Sequence, residues 1–319
     1  MITSLLIIAG SVALLTLGAE LFVRGASMLA LRLGISPLFV GLTVVGFGTS
    51  SPELGASLTA TLSGNTGISM GNVIGSNIFN IGFILGLTAM IRPIAISFPA
   101  VRRDLFVALG VCAVPLCAYF LFASVTRPLG ILCLLGLAAY IAAAYFKDRA
   151  AQESIQQQAV AEVESTLLAS PAQSVGPFLF QMALGIVGLA LLVLSSRAFV
   201  HAATDIAQSL GVSDFIIGIT VVAVGTSLPE LVTSIVAACR KSADLAVGNI
   251  IGSNIFNVLG ILGACAVVAP QPITFDAAYI GIPVMVAFSA ALIPFVRSGG
   301  VLSRREGALL FAGFIVYTI

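Results

Sequence analysis

The chain has 319 residues, of which 59% are apolar and only 8% are charged. A soluble domain carries roughly 25% charged residues, so this composition excludes an ordinary water-soluble protein and predicts a surface that mostly faces lipid. The net charge of +1 gives no indication of a nucleic-acid partner.

Hydropathy along the chain predicts an all-α integral membrane protein, because a spanning helix needs about 20 mostly apolar residues. Ten spans are predicted in chain order: 2–22, 36–62, 69–91, 104–124, 128–146, 176–198, 213–239, 245–269, 276–296 and 304–319. The polar stretch 147–175 separates five spans from five. It predicts a first repeat (1–146), a linker (147–175) with a short surface helix near 155–168, and a second repeat (176–319).

The two halves of the chain repeat each other. Leu33–Leu87 aligns with Leu210–Ala264 without a gap, at an offset of 226 − 49 = 177, and about half of the aligned positions are identical. The densest matches are VGFGTSSPEL with VAVGTSLPEL, and GNVIGSNIFN with GNIIGSNIFN. Because each half has an odd number of spans, the second copy enters the membrane from the opposite side, which is an inverted repeat.

The basic residues predict the orientation of the chain. Twelve Lys and Arg lie in the loops after spans 1, 3, 5, 7 and 9, whereas only Arg127 and Arg197 lie on the other side. Cytoplasmic loops are enriched in Lys and Arg. The 147–175 loop is therefore predicted in the cytoplasm and both termini outside it.

Two carboxylates, Glu53 and Glu230, lie deep inside predicted spans at equivalent positions of the repeat. A charge at the bilayer centre costs on the order of 3 kcal/mol, and such residues usually face a cavity and have partners. One protonated Glu can simply bridge two helices, but a symmetric pair near the midplane favours a functional site. Other acids, such as Asp104, are predicted to flank the ends of helices.

The residues around each Glu predict a broken helix. Pro52 and Pro229 have no amide hydrogen and cannot bond the carbonyl groups of Gly48 and Gly225. Free carbonyl groups at this depth are tolerated only inside protein or beside water. A kink that serves packing alone is the other interpretation.

The following span of each half carries a polar stripe at every fourth residue. The stripes are Asn72, Ser76 and Asn80, and Asn249, Ser253 and Asn257. Hydrogen bonding between helices is one role for them. Because every candidate ligand is an oxygen, hard cations such as Ca²⁺ and Na⁺ are favoured. One Ca²⁺ or two Na⁺ would neutralise the two carboxylates, and a proton could replace a cation. No cofactor and no enzymatic motif is predicted.

These motifs resemble the calcium/cation antiporter superfamily, the sodium/calcium exchangers, and most closely their YrbG-like bacterial members. The resemblance covers the whole chain and is most specific in GTSSPE with GTSLPE and in the two GSNIFN segments. It implies the sodium/calcium exchanger fold in the bacterial inner membrane and Na⁺/Ca²⁺ exchange by alternating access, with spans 1 and 6 sliding over an eight-helix core. The implied ligands are Thr49, Ser50, Glu53, Ser76 and Asn80, then Thr226, Ser227, Glu230, Ser253 and Asn257, with the carbonyl groups of Gly46 and Ala223.

One position departs from a related pattern. Potassium-dependent exchangers resemble this sequence but carry Asp where Asn257 stands, so obligatory K⁺ transport is not expected. A proton-coupled Ca²⁺ or monovalent-cation antiporter remains an alternative, as do a cation channel and a membrane scaffold. The inverted repeat favours alternating access over a pore.

Overall fold

The computed structural model describes residues 2–163, 175–211, 223–297 and 299–318. Within these ranges the chain is helical apart from short connections and four two-residue strands. The elements are α1 (Ile2–Leu33), α2 (Pro37–Thr49), α3 (Ser51–Leu62), α4 (Thr66–Ile91), β1 (Ile94–Ala95), α5 (Phe98–Phe122), β2 (Ser124–Val125), α6 (Arg127–Val163), α7 (Val175–Ser209), α8 (Ala223–Thr226), α9 (Leu228–Cys239), α10 (Ala243–Val268), β3 (Gln271–Pro272), α11 (Ala277–Arg297), β4 (Val301–Leu302) and α12 (Arg304–Thr318).

Seven helices of the described ranges are long and apolar enough to cross a membrane. They include segments of α1, α4, α5, α6, α7, α10 and α11. Two shorter apolar helices, α2 and α9, lie among them. The prediction of an all-α, multi-pass membrane protein is therefore confirmed.

The run 36–62 is two helices, because the backbone leaves the helical region at Ser50, where the sequence predicts a break. One predicted boundary is wrong. The stretch 147–163 is not a loop but continues α6 as far as Val163, since its Ala, Gln and Glu residues are good helix formers although they are polar. The surface helix predicted at 155–168 is part of α6 up to that residue, and residues 164–174 and 212–222 lie outside the described ranges.

The short strands join the two halves in a crossed pattern. Ile94 of β1 pairs with Leu302 of β4, and Val125 of β2 pairs with Gln271 of β3. The repeat offset maps β1 onto β3 (94 + 177 = 271) and β2 onto β4 (125 + 177 = 302). Each half thus contributes one strand to each pair.

Glycine contacts follow the same crossed pattern. A Cβ added to Gly86 would lie 2.9 Å from the carbonyl oxygen of Gly307, and one added to Gly130 would lie 2.8 Å from that of Gly263. The offset of 177 relates Gly86 to Gly263 and Gly130 to Gly307. Side chains larger than hydrogen would separate these helices, so the glycines allow α4 to pack on α12 and α6 to pack on α10.

Helices α1 and α7 pack along each other at one side of the molecule. Their contact is also built on glycine, since a Cβ on Gly188 would lie 2.7 Å from the carbonyl oxygen of Gly18. A small apolar cluster, which includes Leu15, Leu192 and Leu245, joins this pair to the rest. The larger apolar cluster lies among the other helices and contains no residue of α1 or α7.

Candidate functional site

Both buried glutamates lie in the first turn of a helix that begins directly after a break. Ser50 interrupts the chain between α2 and α3 with φ −81° and ψ 7°, and Ser227 interrupts it between α8 and α9 with φ −91° and ψ 6°. Three residues after these serines lie Glu53 and Glu230, and each of them is 1% exposed. The structure therefore contains the predicted breaks, and each one brings a serine hydroxyl and a carboxylate to the centre of the molecule.

The two halves exchange hydrogen bonds across this centre. The Ser227 hydroxyl donates to Oε1 of Glu53 at 2.8 Å, and the Ser50 hydroxyl donates to Oε1 of Glu230 at 2.8 Å. Each carboxylate is thus held by the repeat to which it does not belong. The two hydrogen bonds are equal in length and join residues that the repeat offset relates.

Two asparagines that were not among the predicted site residues complete the centre. Asn254 Oδ1 accepts from Nδ2 of Asn80 at 3.0 Å, and Asn77 Oδ1 accepts from Nδ2 of Asn257 at 2.9 Å. Asn77 Nδ2 also donates to the carbonyl oxygen of Asn254 at 3.2 Å. Both residues lie in the repeated GSNIFN segments. They were not predicted because each lies one residue after the serine of a stripe and so falls outside the four-residue spacing.

Four oxygen atoms at this centre are buried and accept no hydrogen bond from the described residues. They are Oε2 of Glu53, Oε2 of Glu230, Oδ1 of Asn80 and Oδ1 of Asn257. Buried polar atoms nearly always have a partner, and these four can only accept from a donor or bind a cation when the carboxylates are ionised. Carboxylate and amide oxygens are the ligands that a hard cation takes. This donor set therefore fits a hard cation.

Helix α2 and helix α10 provide one wall of the site. The Thr49 hydroxyl donates to the carbonyl oxygen of Val45 and lies 3.0 Å from Oδ1 of Asn249. The Ser253 hydroxyl donates to the carbonyl oxygen of Gly46 at 3.1 Å. Three of the predicted ligands, Gly46, Thr49 and Ser253, are thus brought together.

For the other predicted ligands the structure gives a location but fewer contacts. Ser76 is 6% exposed on α4, on the helix face of Asn80. Thr226 is the last residue of α8, and Ala223 is its first residue, with a side chain outside the described part. The prediction that the carbonyl group of Gly225 is free is wrong, because the Ser196 hydroxyl of α7 donates a hydrogen bond to its oxygen at 2.5 Å.

A wide helical turn follows each polar stripe. The chain is π-helical from Asn80 to Leu85 within α4 and from Asn257 to Leu262 within α10. Such turns are rare and often mark functional sites. In both halves the turn begins at a candidate ligand.

The GxxxG segment of the second half, Gly248 to Gly252, packs closely against α2. A Cβ on Gly248 would lie 2.7 Å from the carbonyl oxygen of Leu38, and one on Gly252 would lie 2.6 Å from the carbonyl carbon of Leu42. The repeat offset relates these glycines to Gly71 and Gly75, and it relates Leu38 and Leu42 to residues 215 and 219, which lie outside the described ranges. Gly71 and Gly75 line a cavity of about 310 Å³ between α4 and α11.

A third buried acid, Asp104, lies away from the centre, in the second turn of α5 and not at a helix end as predicted. Asp104 is 2% exposed, and its Oδ1 accepts from Arg103 at 2.9 Å and from the Tyr140 hydroxyl at 3.1 Å. Burial with paired donors gives this carboxylate a structural role between α5 and α6.

Comparison with known proteins agrees with this geometry. The sodium/calcium exchanger protein family matches residues 3–146 and 180–319. The chain is 35% identical to the inner membrane protein YrbG of Escherichia coli over 99% of this chain and 95% of that protein. It is 31% identical to the sodium/calcium exchanger MaX1 of Methanosarcina acetivorans over 95% of this chain and 93% of that one.

A solved structure gives the same result. The sodium-calcium exchanger NCX_Mj, soaked with 2.5 mM Na⁺ and 0.1 mM Ca²⁺, superposes with a TM-score of 0.85 at 30% identity. The match covers 100% of this chain and 98% of that chain. The relatives are transporters and not enzymes. The chain therefore belongs to the sodium/calcium exchanger family of membrane antiporters.

Proposed function

We propose that this protein exchanges Na⁺ for Ca²⁺ by alternating access, with Glu53 and Glu230 as the central ligands. The observation that carries the proposal is the set of four unpartnered oxygens between the two halves, two carboxylate and two amide. A cation is the occupant that can bind all four at once. Their charge of −2 matches one Ca²⁺ or two Na⁺, so the two ions compete for one site.

The proposed ligand set extends beyond these four oxygens. It takes in the hydroxyl groups of Ser50, Ser227, Thr49 and Thr226, and of Ser76 and Ser253, with the carbonyl groups of Gly46 and Ala223. Support comes from the crossed serine hydrogen bonds and from the Ser253 contact to Gly46. In the ion-loaded site each serine oxygen would turn a lone pair to the cation while its hydrogen stays on the opposite carboxylate.

The proposed architecture has ten spans in two inverted five-helix repeats, 1–146 and 176–319. The seven long helices supply seven spans, and α2 with α3, α8 with α9, and α12 supply three more. The crossed strand and glycine pairs support the inversion, because the 177-residue offset exchanges the members of each pair.

Alternating access is proposed as a movement of α1 and α7 over the other helices. Support comes from the apolar packing, because this pair shares a small cluster that includes Leu15 and Leu192, whereas the larger cluster contains no residue of either helix.

We place the protein in the bacterial inner membrane with both termini outside the cytoplasm and the 147–175 segment inside. The Lys and Arg bias of the loops supports this orientation. The test is the accessibility of introduced cysteines to an impermeant reagent in intact cells, with one cysteine added at a terminus and another placed near Arg149. We expect only the terminal cysteine to react. Reaction of only the cysteine near Arg149 would show the opposite orientation.

The function is tested by uptake of radiolabelled Ca²⁺ into proteoliposomes under imposed Na⁺, H⁺ or K⁺ gradients. We expect an outward-directed Na⁺ gradient to drive uptake, and Glu53→Gln and Glu230→Gln each to abolish it. Uptake driven by a pH gradient and indifferent to Na⁺ would establish the proton-coupled alternative instead. A cation channel would conduct single-channel currents, and the exchanger relatives favour antiport over that alternative.

A further inference from the structure

The polar stripes of the first half continue beyond the predicted site. On α3, Ser57 and Thr61 follow Glu53 at four-residue spacing, so the three share one face. On α4, Ser69 precedes Ser76 by seven residues, which places it on the same face, two turns away. All of these side chains are at least nine-tenths buried.

The antiparallel packing of α3 and α4 sets the register of these stripes. Asn72 Nδ2 donates to the Ser57 hydroxyl at 2.8 Å. Thr61 lies one turn beyond Ser57, and Ser69 lies one turn before Asn72, so the next level of the hairpin holds these two hydroxyl groups. This level is close to residues 63–65, which connect the helices at what we call the hairpin face.

A third polar side chain reaches the same level from β3. Gln271 is fully buried, and its amide nitrogen donates to the carbonyl oxygens of Cys265 and Ala269 at the end of α10. β3 packs against α4, and the end of α10 packs against α3. The Gln271 side chain therefore lies where α3, α4 and the end of α10 come together.

Each member of this triad, Thr61, Ser69 and Gln271, has an oxygen that is buried and bonds nothing in the described part of the chain. The side chains are 3%, 0% and 0% exposed. Three such atoms at one level of the protein need an occupant, because buried polar atoms without a partner are costly.

The internal repeat provides a built-in comparison. The positions equivalent to the triad are Ala238, Ala246 and Ile94, which are buried and apolar. One hydroxyl, Thr88, stands on that side, opposite Cys265 in the repeat. The fold thus needs no polar triad at this level, and the oxygens of the first half are an addition to it.

We propose that Thr61, Ser69 and Gln271 form an outer station for a partly hydrated monovalent cation of the size of Na⁺, on its way between the hairpin face and the carboxylate pair. The inference rests on the proposed Na⁺/Ca²⁺ exchange and adds a site to it. Three uncharged oxygens and retained water suit a monovalent ion, whereas Ca²⁺ takes more ligands, with carboxylates among them.

The test is the Na⁺ concentration dependence of exchange in membrane vesicles of defined orientation, assayed with Na⁺ on one face at a time. The variant Thr61→Val/Ser69→Ala removes two of the oxygens with little change of volume. We expect the half-maximal Na⁺ concentration to rise about three- to tenfold on the hairpin face, since each ligand contributes about as much as a hydrogen bond. It should stay unchanged on the opposite face, and the half-maximal Ca²⁺ concentration should stay within about twofold.

Thr88→Val is the matched control, because it removes a buried, unpartnered hydroxyl from the other side. It should leave the Na⁺ dependence at the hairpin face unaltered. An unchanged Na⁺ dependence in the double variant would show that the triad holds only water, and an equal shift on both faces or in Ca²⁺ would show a general structural effect. Either result overturns the station.

Failure of the proposed function has a different signature. Wild-type vesicles without any Na⁺-driven Ca²⁺ flux would refute the exchange and the station together, whereas normal wild-type flux with an unaltered variant refutes the station alone. If the double variant does not fold, the single variant Gln271→Ile introduces the residue that the chain itself carries at position 94. It should give the same one-sided shift, and its absence would overturn the proposal.

Discussion

The crossed hydrogen bonds at the centre predict that residues of opposite halves are coupled more strongly than residues that are close along the chain. Ser50 lies three residues from Glu53, yet its hydroxyl donates to Glu230 of the other half. Ser227 donates to Glu53 in return. Energetic coupling should therefore be strong for the crossed pair and weak for the neighbouring pair.

The magnitude follows from the type of bond. A hydrogen bond to a charged group contributes about 1.5–3 kcal/mol, and a neutral one about 1 kcal/mol. In a double-mutant cycle of Ser50→Ala with Glu230→Gln, we expect a coupling energy of about 1–2 kcal/mol. The cycle of Ser50→Ala with Glu53→Gln should be additive to about 0.5 kcal/mol.

The assay is thermal unfolding of the purified protein in detergent, in a Na⁺-free buffer with a Ca²⁺ chelator, so that neither proposed ion contributes. Each kcal/mol should shift the midpoint by roughly 2–4 °C. The symmetric cycle of Ser227→Ala with Glu53→Gln is the internal control and should give the same coupling. Stronger coupling within a half than between halves would refute the crossed arrangement.

Three further predictions concern other elements. Gly252→Ala should lower the free energy of unfolding by about 1–3 kcal/mol, because its Cβ would meet the backbone of Leu42; an unchanged midpoint in the thermal unfolding assay would contradict this close packing. Asn257→Asp adds a third carboxylate to the site, so exchange should acquire a dependence on pH or K⁺, and unchanged coupling in the uptake assay would show that this position does not set it. Asp148→Asn weakens the contacts that this carboxylate makes to the N-cap residue of α2 and should cost about 0.5–1 kcal/mol in the same unfolding assay; an unchanged midpoint would show that the contact contributes nothing.

Much of the site could be predicted from the sequence, because its signals are local. The Pro after each Ser predicts the break, and Glu53 and Glu230 are conspicuous in apolar surroundings. The repeat offset predicts that they are equivalent. It does not predict that each serine serves the opposite half, because an offset relates positions without saying which of them touch.

Other features depend on contacts that no local pattern contains. The side-chain amide of Asn77 donates to the carbonyl oxygen of Asn254, and the amide of Asn254 donates to that of Asn77. These hydrogen bonds join the two halves where helices cross, and the crossing exists only in the folded chain. The Gly225 carbonyl group is taken by Ser196 of a distant helix. The extension of α6 was missed for another reason, since hydropathy reports where lipid ends and not where a helix ends.

The crossed strand and glycine pairs mean that the boundary between the repeats is a boundary in sequence only. β1 has its partner two hundred residues later in β4, and Gly86 packs on Gly307 of α12. During synthesis the helices of the first half, α1 to α6, therefore have Gly86 and Gly130 uncovered until α10 and α12 have been made. Two halves expressed as separate chains should accordingly find each other and assemble, whereas either half alone has no complete core to fold around.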